Sequence, residues 1–379
     1  MTTATRLKNF FLVHLPRLAK VELLRLFPGL WDMISIAPDA AWLNPTDNCN
    51  MRCIMCNQWR ETKTNELTTG EWKKVIDQLA EIGIKKVGFN GGEPLLCKDL
   101  PDIFAHVTSR GMTPALITSG FLLDDAKLEA LLKAGMAHVT MSIDGTGAEY
   151  EKIRGREWAR VEAAAERLGK AYKEGRVDAN IGFVIMKQTL EHLPGVQALC
   201  ERIGLPLTFS LVDSTPFFFK LDANAMTAAN TNWCGPDERR RLRDMQKALT
   251  DMKSKNPASV IGTWANIAYV ADYFADPLRA DIPCTVSQIR VMINSRGELY
   301  GGCWSMGGYG SLRDTPLKDL MASRAYRDAH KAMFKKECPG CSCGYGTNLR
   351  YDLRQTLKDE VWKHLPPLRV NIYKEPAAP

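Results

Sequence analysis

Six strand–helix units with short connections occupy residues 41–215 of the 379-residue chain. The first helix-like segment, "TTGEWKKVIDQLAEIG", shows the pattern well: Thr68 and Glu71 form a capping box, and apolar residues recur at helical spacing on one face. Strands that alternate with helices in this way pair in parallel, because each helix returns the chain to the same end of the sheet. The series predicts an α/β fold, a partial (β/α)6 TIM-like barrel.

Polar and Gly-rich signatures follow the strands of this predicted barrel. They are "TDNCN", "NGGEP", "TSG" and "SIDG", each directly after a strand-like segment. The carboxyl ends of parallel strands meet at one edge, where barrels of this kind bind their ligands. The sequence therefore predicts a single site built from these four loops.

The first of these loops runs into "CNMRCIMC", which holds Cys49, Cys53 and Cys56 in the spacing CxxxCxxC. A zinc site completed by a distant residue, or unrelated buried thiols, would account for three cysteines. A structural zinc site needs four protein ligands. A cubane iron–sulfur cluster on three thiolates instead keeps one iron open for chemistry.

Taken together and in this order, "CNMRCIMC", "NGGEP" and "SIDG" resemble the radical S-adenosylmethionine (radical SAM) enzymes over residues 41–215. The resemblance implies that Cys49, Cys53 and Cys56 hold a [4Fe–4S] cluster, and that S-adenosylmethionine chelates the fourth iron. In that family, one electron cleaves the cofactor to a 5′-deoxyadenosyl radical, which abstracts a substrate hydrogen.

The resemblance also assigns residues to S-adenosylmethionine. Those implied for its amino group are Gly91, Gly92, Glu93 and Pro94; those implied for its ribose or carboxylate, or for the same rim, are Ser119, Ser142, Asp144 and Arg154. Ordinary turn and capping chemistry is the alternative explanation for these last four residues. Met55 stands where the family often has an aromatic residue near adenine, and Trp59 is close enough in sequence to supply a ring.

A second group of cysteines follows the barrel. It consists of Cys284, Cys303, Cys338, Cys341 and Cys343, with a hairpin pattern ending at Cys303. This arrangement resembles the twitch and SPASM extensions of radical SAM enzymes. It implies one auxiliary [4Fe–4S] cluster on Cys284, Cys303, Cys338 and Cys341, with Cys343 as an alternative ligand. A zinc ribbon is the competing interpretation.

Function is predicted only by class. We expect a radical SAM enzyme, reduced by a flavodoxin- or ferredoxin-type partner, that oxidises or rearranges its substrate. The 40 residues before the barrel are too few for a peptide-recognition domain, which favours a small or lipid-linked substrate. The alternatives are a maturase that modifies a ribosomal peptide or protein, and a non-catalytic iron–sulfur scaffold, although a scaffold has no need of GGEP and SIDG.

Composition and the N-terminus set the remaining expectations. The net charge of +7 suits an acidic redox partner, but no basic block interleaved with aromatic residues indicates nucleic acid. Clustered cysteines and the lack of a secretory signal predict a cytoplasmic protein. Residues 6–31 are apolar and basic, and form either a helix packed on the main domain or a contact with a membrane surface. The expected segments are 1–40 (helical), 41–215 (barrel), 216–283 (linking loops and helices), 284–345 (auxiliary cluster) and 346–379 (tail).

Overall fold

The computed structural model describes residues 12, 15–31, 33–34, 36–60, 64–212, 231–277 and 284–338. The chain divides into two units, one of residues 36–347 and one of residues 1–35 with 348–379. In the smaller unit the described residues form helix α1 (Leu15–Leu26) and a 3-10 turn at Pro28–Leu30. Pro16 lies in the first turn of α1, where its missing N–H costs no helical hydrogen bond. Within the described part of the chain, no helix is long and apolar enough to cross a bilayer.

The larger unit is built on one nine-stranded sheet, and its first six strands are the six predicted from the sequence. The strands are β1 (Ala40–Leu43), β2 (Lys86–Phe89), β3 (Thr113–Thr118), β4 (His138–Ser142), β5 (Asp178–Ile185), β6 (Leu207–Leu211), β7 (Val260–Ile261), β8 (Arg290–Ile293) and β9 (Leu299–Tyr300). Strands β1 to β6 are parallel neighbours in chain order. The predicted fold class, a partial parallel barrel, is confirmed.

Helices connect these strands. They are α2 (Thr69–Glu81), α3 (Leu100–Ser109), α4 (Asp125–Lys133), α5 (Gly147–Arg154), α6 (Trp158–Lys173), α7 (Leu193–Ile203), α8 (Arg239–Lys255), α9 (Trp264–Ala268), α10 (Val270–Ala275), α11 (Val286–Ile289), α12 (Leu317–Ala322) and α13 (Arg324–Phe334). Helix α2 begins at the capping box that its sequence predicts, with Thr68 and Glu71 each bonding the backbone of the other. Its apolar stripe is buried, from Trp72 to Leu79.

Three further strands extend the sheet at its two edges. At one edge β7 pairs with β6 in parallel. At the other, β8 pairs with β1 in parallel, and β9 returns antiparallel to β8. The hairpin predicted before Cys303 is therefore present, with its turn at Ser295-Arg296-Gly297, and it belongs to the same sheet as the barrel strands.

The two faces of the barrel strands differ in polarity. On β4, Val139 and Met141 are fully buried, whereas His138, Thr140 and Ser142 on the opposite face are half-buried. Since alternate residues of a strand face opposite sides, the helices cover one side and the polar residues line the inner side of the open barrel. Polar chemistry is thus available inside the barrel, below the strand ends.

Candidate functional site

The loops after β1 and β2 are joined directly by backbone hydrogen bonds. Gly92 N donates to Thr46 O at 3.0 Å, and Glu93 N donates to Asn48 O at 2.7 Å. A Cβ atom on Gly92 would lie 2.1 Å from Asn48 O, so no larger residue fits there. The glycine of GGEP permits close approach of the backbone, and its immediate neighbour is the segment leading to Cys49.

Glu93 connects the ends of β2 and β3. Its carboxylate is 1% exposed and accepts hydrogen bonds from Thr118 Oγ1 at 2.7 Å and Ser119 N at 2.9 Å. The Ser119 hydroxyl and Leu95 N donate to the same carboxylate. Protein groups therefore satisfy Glu93, and Ser119, itself predicted on the rim, is one of them. This geometry gives Glu93 a structural task beyond the contact with a cofactor amino group that the sequence implied.

The buried Asp47 carboxylate accepts four hydrogen bonds at the start of the cysteine loop. One carboxylate oxygen accepts from Asn44 Nδ2 and Gln58 Nε2, both at 2.8 Å. The other accepts from Ser295 Oγ at 2.6 Å and from Arg296 at 3.1 Å. We call this carboxylate and its four donors (Asn44, Gln58, Ser295 and Arg296) the Asp47 hub. The hub joins the two ends of the cysteine loop to the turn between β8 and β9. Sequence reasoning missed Asp47; the only signal available was an acid four residues after the end of β1.

Each of the three loop sulfurs has a hydrogen-bond donor. Met51 N donates to Cys49 Sγ at 3.4 Å, and Gln58 N donates to Cys56 Sγ at 3.4 Å. Arg154 donates to Cys53 Sγ at 3.7 Å. Such donors suit thiolate rather than thiol sulfur, because the charged form is the stronger acceptor.

Burial raises the pKa of these thiols, to about 11 for Cys49 and about 12 for Cys56, and upward for Cys53. Without a metal centre they are therefore protonated at neutral pH, and a metal centre displaces those protons. Among the described residues, no three His, Cys, Asp or Glu side chains lie close enough to hold a single metal ion. Three soft sulfur ligands, each with an N–H donor, fit the cluster that the sequence resemblance implies.

Asp144 and Arg154 form a buried ion pair beside this loop. Arg154 donates from Nε and a terminal nitrogen to Asp144 Oδ2, both at 2.6 Å, and Val184 N donates to Asp144 Oδ1 at 2.7 Å. Burial alone would lower the pKa of the Arg154 guanidinium. The charge and hydrogen bond of Asp144, together with the nearby Cys53 and Tyr150, outweigh this effect, and the net shift of the pKa is upward. The pair fixes the remaining terminal nitrogen of Arg154 towards Cys53. Arg154 therefore contacts Cys53, a predicted cluster ligand. The sequence resemblance implied only a contact with the carboxylate of S-adenosylmethionine.

The end of α5 holds the same loop through its backbone. Arg52 N donates to Arg154 O at 3.2 Å, and Ile54 N donates to Ile153 O at 3.0 Å. Gly155 follows with φ of +70°, and a Cβ there would lie 2.9 Å from Arg52 Cβ. Carbonyl groups at the end of α5, which lack a partner within the helix, thus accept hydrogen bonds from the cysteine loop.

The remaining predicted cofactor residues lie at the same edge. Ser142, at the end of β4, is half-buried, and its hydroxyl has no hydrogen-bond partner within the described part of the chain. Met55 is half-buried inside the cysteine loop, and Pro94 begins a 3-10 turn at Pro94–Leu96. Two guanidinium groups stack on the Trp59 ring, those of Arg52 and Arg60, at 4.9 and 4.5 Å from the ring centroid. The structure brings the predicted residues of the barrel to one edge.

Sequence reasoning missed a polar cluster on the inner side of the barrel. His138 Nδ1 lies 3.1 Å from Asp178, and His138 Nε2 lies 2.9 Å from Asn180 Nδ2 and 3.3 Å from Thr140 Oγ1. Asn180 Oδ1 is buried without a hydrogen-bond partner in the described part of the chain. Alternation along β4 and β5 was the signal that could have found these residues.

The second cysteine group draws on three segments that pack together. Cys284 N donates to Phe334 O at 3.3 Å, four residues before Cys338. A Cβ on Gly302, next to Cys303, would lie 2.9 Å from Val286 O, two residues after Cys284. Cys284, Cys303 and Cys338 thus lie on adjoining segments, whereas Cys341 and Cys343 lie outside the described residues.

His330 packs beneath these segments. A Cβ on Gly301 would lie 2.4 Å from His330 Nε2, and the Tyr326 ring lies 3.9 Å from the imidazole. Burial lowers the pKa of His330 to about 3, so it is neutral at physiological pH. This imidazole explains why a glycine precedes Gly302 and Cys303.

Comparison with known proteins agrees with this geometry. The family described as Radical SAM superfamily matches residues 43–199, from the end of β1 into α7. Among curated proteins, the chain is 29% identical to the PqqA peptide cyclase of Granulibacter bethesdensis over 58% of this chain and 61% of that protein. It is 34% identical to the Fe-coproporphyrin III synthase of Methanosarcina barkeri over 45% of this chain and 42% of that protein. The matches thus span less than two thirds of the length of these two relatives.

A longer match joins the chain to the PqqA peptide cyclase of Xanthomonas campestris pv. campestris. It is 27% identical over 322 residues, 80% of this chain and 79% of that protein. Among solved structures, Streptococcus suis SuiB bound to precursor peptide SuiA has a TM-score of 0.61 at 15% identity, covering 85% of this chain and 73% of that one. Native anSMEcpe with bound AdoMet and Kp18Cys peptide has a TM-score of 0.62 at 17% identity, covering 86% and 97%. At sequence identities of 15% and 17%, these structures support only the assignment of the fold. Sequence motifs and the family match identify a radical SAM domain over residues 43–199 of this chain, and enzymes of that superfamily use a [4Fe–4S] cluster and S-adenosylmethionine.

Proposed function

We propose that this protein is a radical SAM enzyme that modifies a peptide or protein substrate. When bound, the cluster and S-adenosylmethionine supply a 5′-deoxyadenosyl radical, the agent that removes a substrate hydrogen. The peptide gives one hydrogen atom to this radical, one further electron to the auxiliary cluster proposed below and one proton to solvent, and the net change is an oxidation or a new bond at the carbon that loses hydrogen. This assignment adopts the peptide alternative and sets aside the small-molecule substrate that the sequence favoured.

The observation that carries the proposal is the length of the match to a PqqA peptide cyclase. The aligned 322 residues exceed the barrel, so the similarity also reaches beyond β6. The region after β6 contributes β8 and β9 to the same sheet, with the Ser295–Arg296 turn on Asp47. A substrate at the strand ends would therefore meet residues from both regions.

We assign different roles to the residues at the carboxyl ends of the strands and inside the barrel. Cys49, Cys53 and Cys56 would hold the cluster, and Asp47 keeps their loop in place. Glu93 joins the ends of β2 and β3, where S-adenosylmethionine would bind. The open hydroxyl of Ser142 is available to hydrogen-bond the cofactor or the substrate. His138 and Asn180 supply polar groups deeper in the barrel.

We further propose that Cys284, Cys303 and Cys338 hold one auxiliary cluster together with Cys341 or Cys343. The support is the packing of three cysteine-bearing segments around Phe334 and Gly302. Iron and acid-labile sulfide should remain when Cys49, Cys53 and Cys56 are all replaced by alanine. Zinc in place of sulfide in that variant would contradict an auxiliary iron–sulfur cluster.

The test of the main proposal is an anaerobic assay of the reconstituted, reduced protein. Candidate peptides encoded beside its gene are supplied in deuterated form, and 5′-deoxyadenosine is analysed for deuterium. We expect deuterium in 5′-deoxyadenosine and a mass change of the peptide, both lost in the Cys49→Ala variant.

The Fe-coproporphyrin III synthase match supports a second candidate, a small-molecule substrate such as a tetrapyrrole. That match covers 173 residues, about the length of the barrel. A tetrapyrrole run in the same assay distinguishes the two candidates. Transfer of substrate deuterium from the tetrapyrrole, and none from any peptide, would overturn the peptide assignment.

A further inference from the structure

Exposed apolar side chains are concentrated in one short part of the chain. Ten large hydrophobic side chains of the described residues are exposed, and six of them lie between residues 12 and 33. These six are Leu12, Leu15, Leu23, Leu26, Phe27 and Met33, with exposed fractions from 41% to 80%. Single exposed hydrophobic residues are normal on soluble proteins, but a contiguous group indicates a contact surface.

Helix α1 has two apolar faces. Val21 and Leu24 are buried, at 0% and 2% exposure. Leu15, Leu23 and Leu26 lie on the opposite face, in line with exposed Ala19, at the i, i+4, i+8 and i+11 positions. A helix that is buried on one side needs one apolar face. The exposed face, which we call the leucine face (Leu15, Ala19, Leu23 and Leu26), is a second one.

Basic residues border the leucine face. Lys20 and Arg25 lie roughly 100° to either side of its centre on an ideal helix. The acidic residue of α1, Glu22, is paired with Arg25 at 2.8 Å. Residues 1–31 contain five basic residues and one acidic residue, so they carry a net charge of +4 out of the chain's +7.

We propose that α1 docks on an anionic lipid surface, with the leucine face and Phe27 in the apolar boundary. The apolar side chains supply burial, and the net charge of +4 over residues 1–31 attracts this segment to lipid phosphates. A protein partner of ordinary composition would explain the leucines, but the concentration of positive charge favours a negatively charged surface. The proposal is independent of the reaction at the barrel, since it concerns only where the enzyme is held.

Vesicle co-sedimentation of the full-length protein tests this inference. One set of vesicles is phosphatidylcholine, and the other contains roughly a third phosphatidylglycerol. We expect binding to the second set that falls at high salt. The Leu23→Ser/Leu26→Ser/Phe27→Ser variant should lose at least about tenfold in partitioning, because three apolar side chains leave the boundary.

The chain offers a matched control. Ile261, in β7, is 42% exposed, almost the same as Leu23 at 41%. The Ile261→Ser variant should bind vesicles as the unaltered protein does, whereas Leu23→Ser alone should bind measurably less. Light scattering without lipid reports self-association in parallel. A dimer broken by the triple substitution, with no binding to anionic vesicles, would overturn the lipid proposal in favour of a second copy of the chain.

Discussion

The Ser295 hydroxyl donates a hydrogen bond to the Asp47 carboxylate at 2.6 Å, although 248 positions separate the two residues in the chain. Asp47 is 3% exposed and Ser295 is fully buried. The bond crosses from the turn of the β8–β9 hairpin to the loop of the three cysteines. Two regions that could be taken for separate domains therefore share one polar hub.

Removing the hub should destabilise both the fold and the metal site. We expect Asp47→Ala to cost about 3 kcal/mol of unfolding free energy, since it leaves buried donors from Asn44, Gln58 and Ser295 without an acceptor. Iron bound per chain should fall as well, because the cysteine loop loses its anchor. Chemical denaturation and iron analysis measure the two effects.

Ser295→Ala separates the hairpin from the hub with less damage, at about 1 kcal/mol. Ser109→Ala is its control, because that hydroxyl is exposed and bonds only the local backbone of α3. If both serine variants retained the unaltered stability and iron content, the hairpin would have no part in holding the cysteine loop.

The sequence predicted much of this architecture because its information is local. The capping box of α2, the first six strands and the glycines after β2 depend on neighbours in sequence. The site edge could be predicted because parallel strands bring their carboxyl ends together. The pairing of β8 with β1, the Asp47 hub and the contact of Arg154 with Cys53 could not, since each depends on which distant segment packs there.

Glu93 should matter for folding before any cofactor binds. We expect Glu93→Ala to lower the unfolding free energy of the cofactor-free protein by about 3 kcal/mol, because buried donors from Thr118, Ser119 and Leu95 lose their acceptor. Thermal and chemical unfolding without S-adenosylmethionine measure this. Glu149→Ala, at an exposed position in the first turn of α5, serves as the control. An unchanged stability with weakened cofactor binding would assign Glu93 to the cofactor alone.

Glu71 and Arg313 give stability a defined dependence on pH. Hydrogen bonds from Arg313, and then from Thr68, lower the pKa of Glu71 from 4.5 to about 2. A depressed carboxyl pKa contributes stability that is complete above the unfolded value of 4.5 and is lost as the pH falls through about 2. Both side chains are partly exposed, so solvent screening reduces the contribution to about 1 kcal/mol.

The Arg313→Ala variant should therefore be less stable than the unaltered protein at neutral pH, and the difference should shrink towards pH 2. Denaturation across this range measures the difference. Arg324→Ala removes a more exposed pair, with Asp328 at 3.4 Å, and should leave the profile unchanged. A difference between Arg313→Ala and the unaltered protein that does not vary with pH would show that packing, rather than the charge of Glu71, is responsible.

Arg154 should raise the reduction potential of a cluster bound by Cys53. Its donor nitrogen is fixed by Asp144 at the sulfur, and hydrogen bonds to cluster sulfurs stabilise the more negative, reduced state. We expect Arg154→Gln to shift the midpoint potential downward, by about 60 mV for each 1.4 kcal/mol of lost stabilisation. A redox titration monitored by electron paramagnetic resonance measures the shift without turnover, in the absence of S-adenosylmethionine.

Arg156→Gln is the matched control, because Arg156 donates to the backbone oxygen of Asn50 in the same loop and not to a sulfur. Equal potentials for the two variants would mean that Arg154 supports the loop without tuning the cluster.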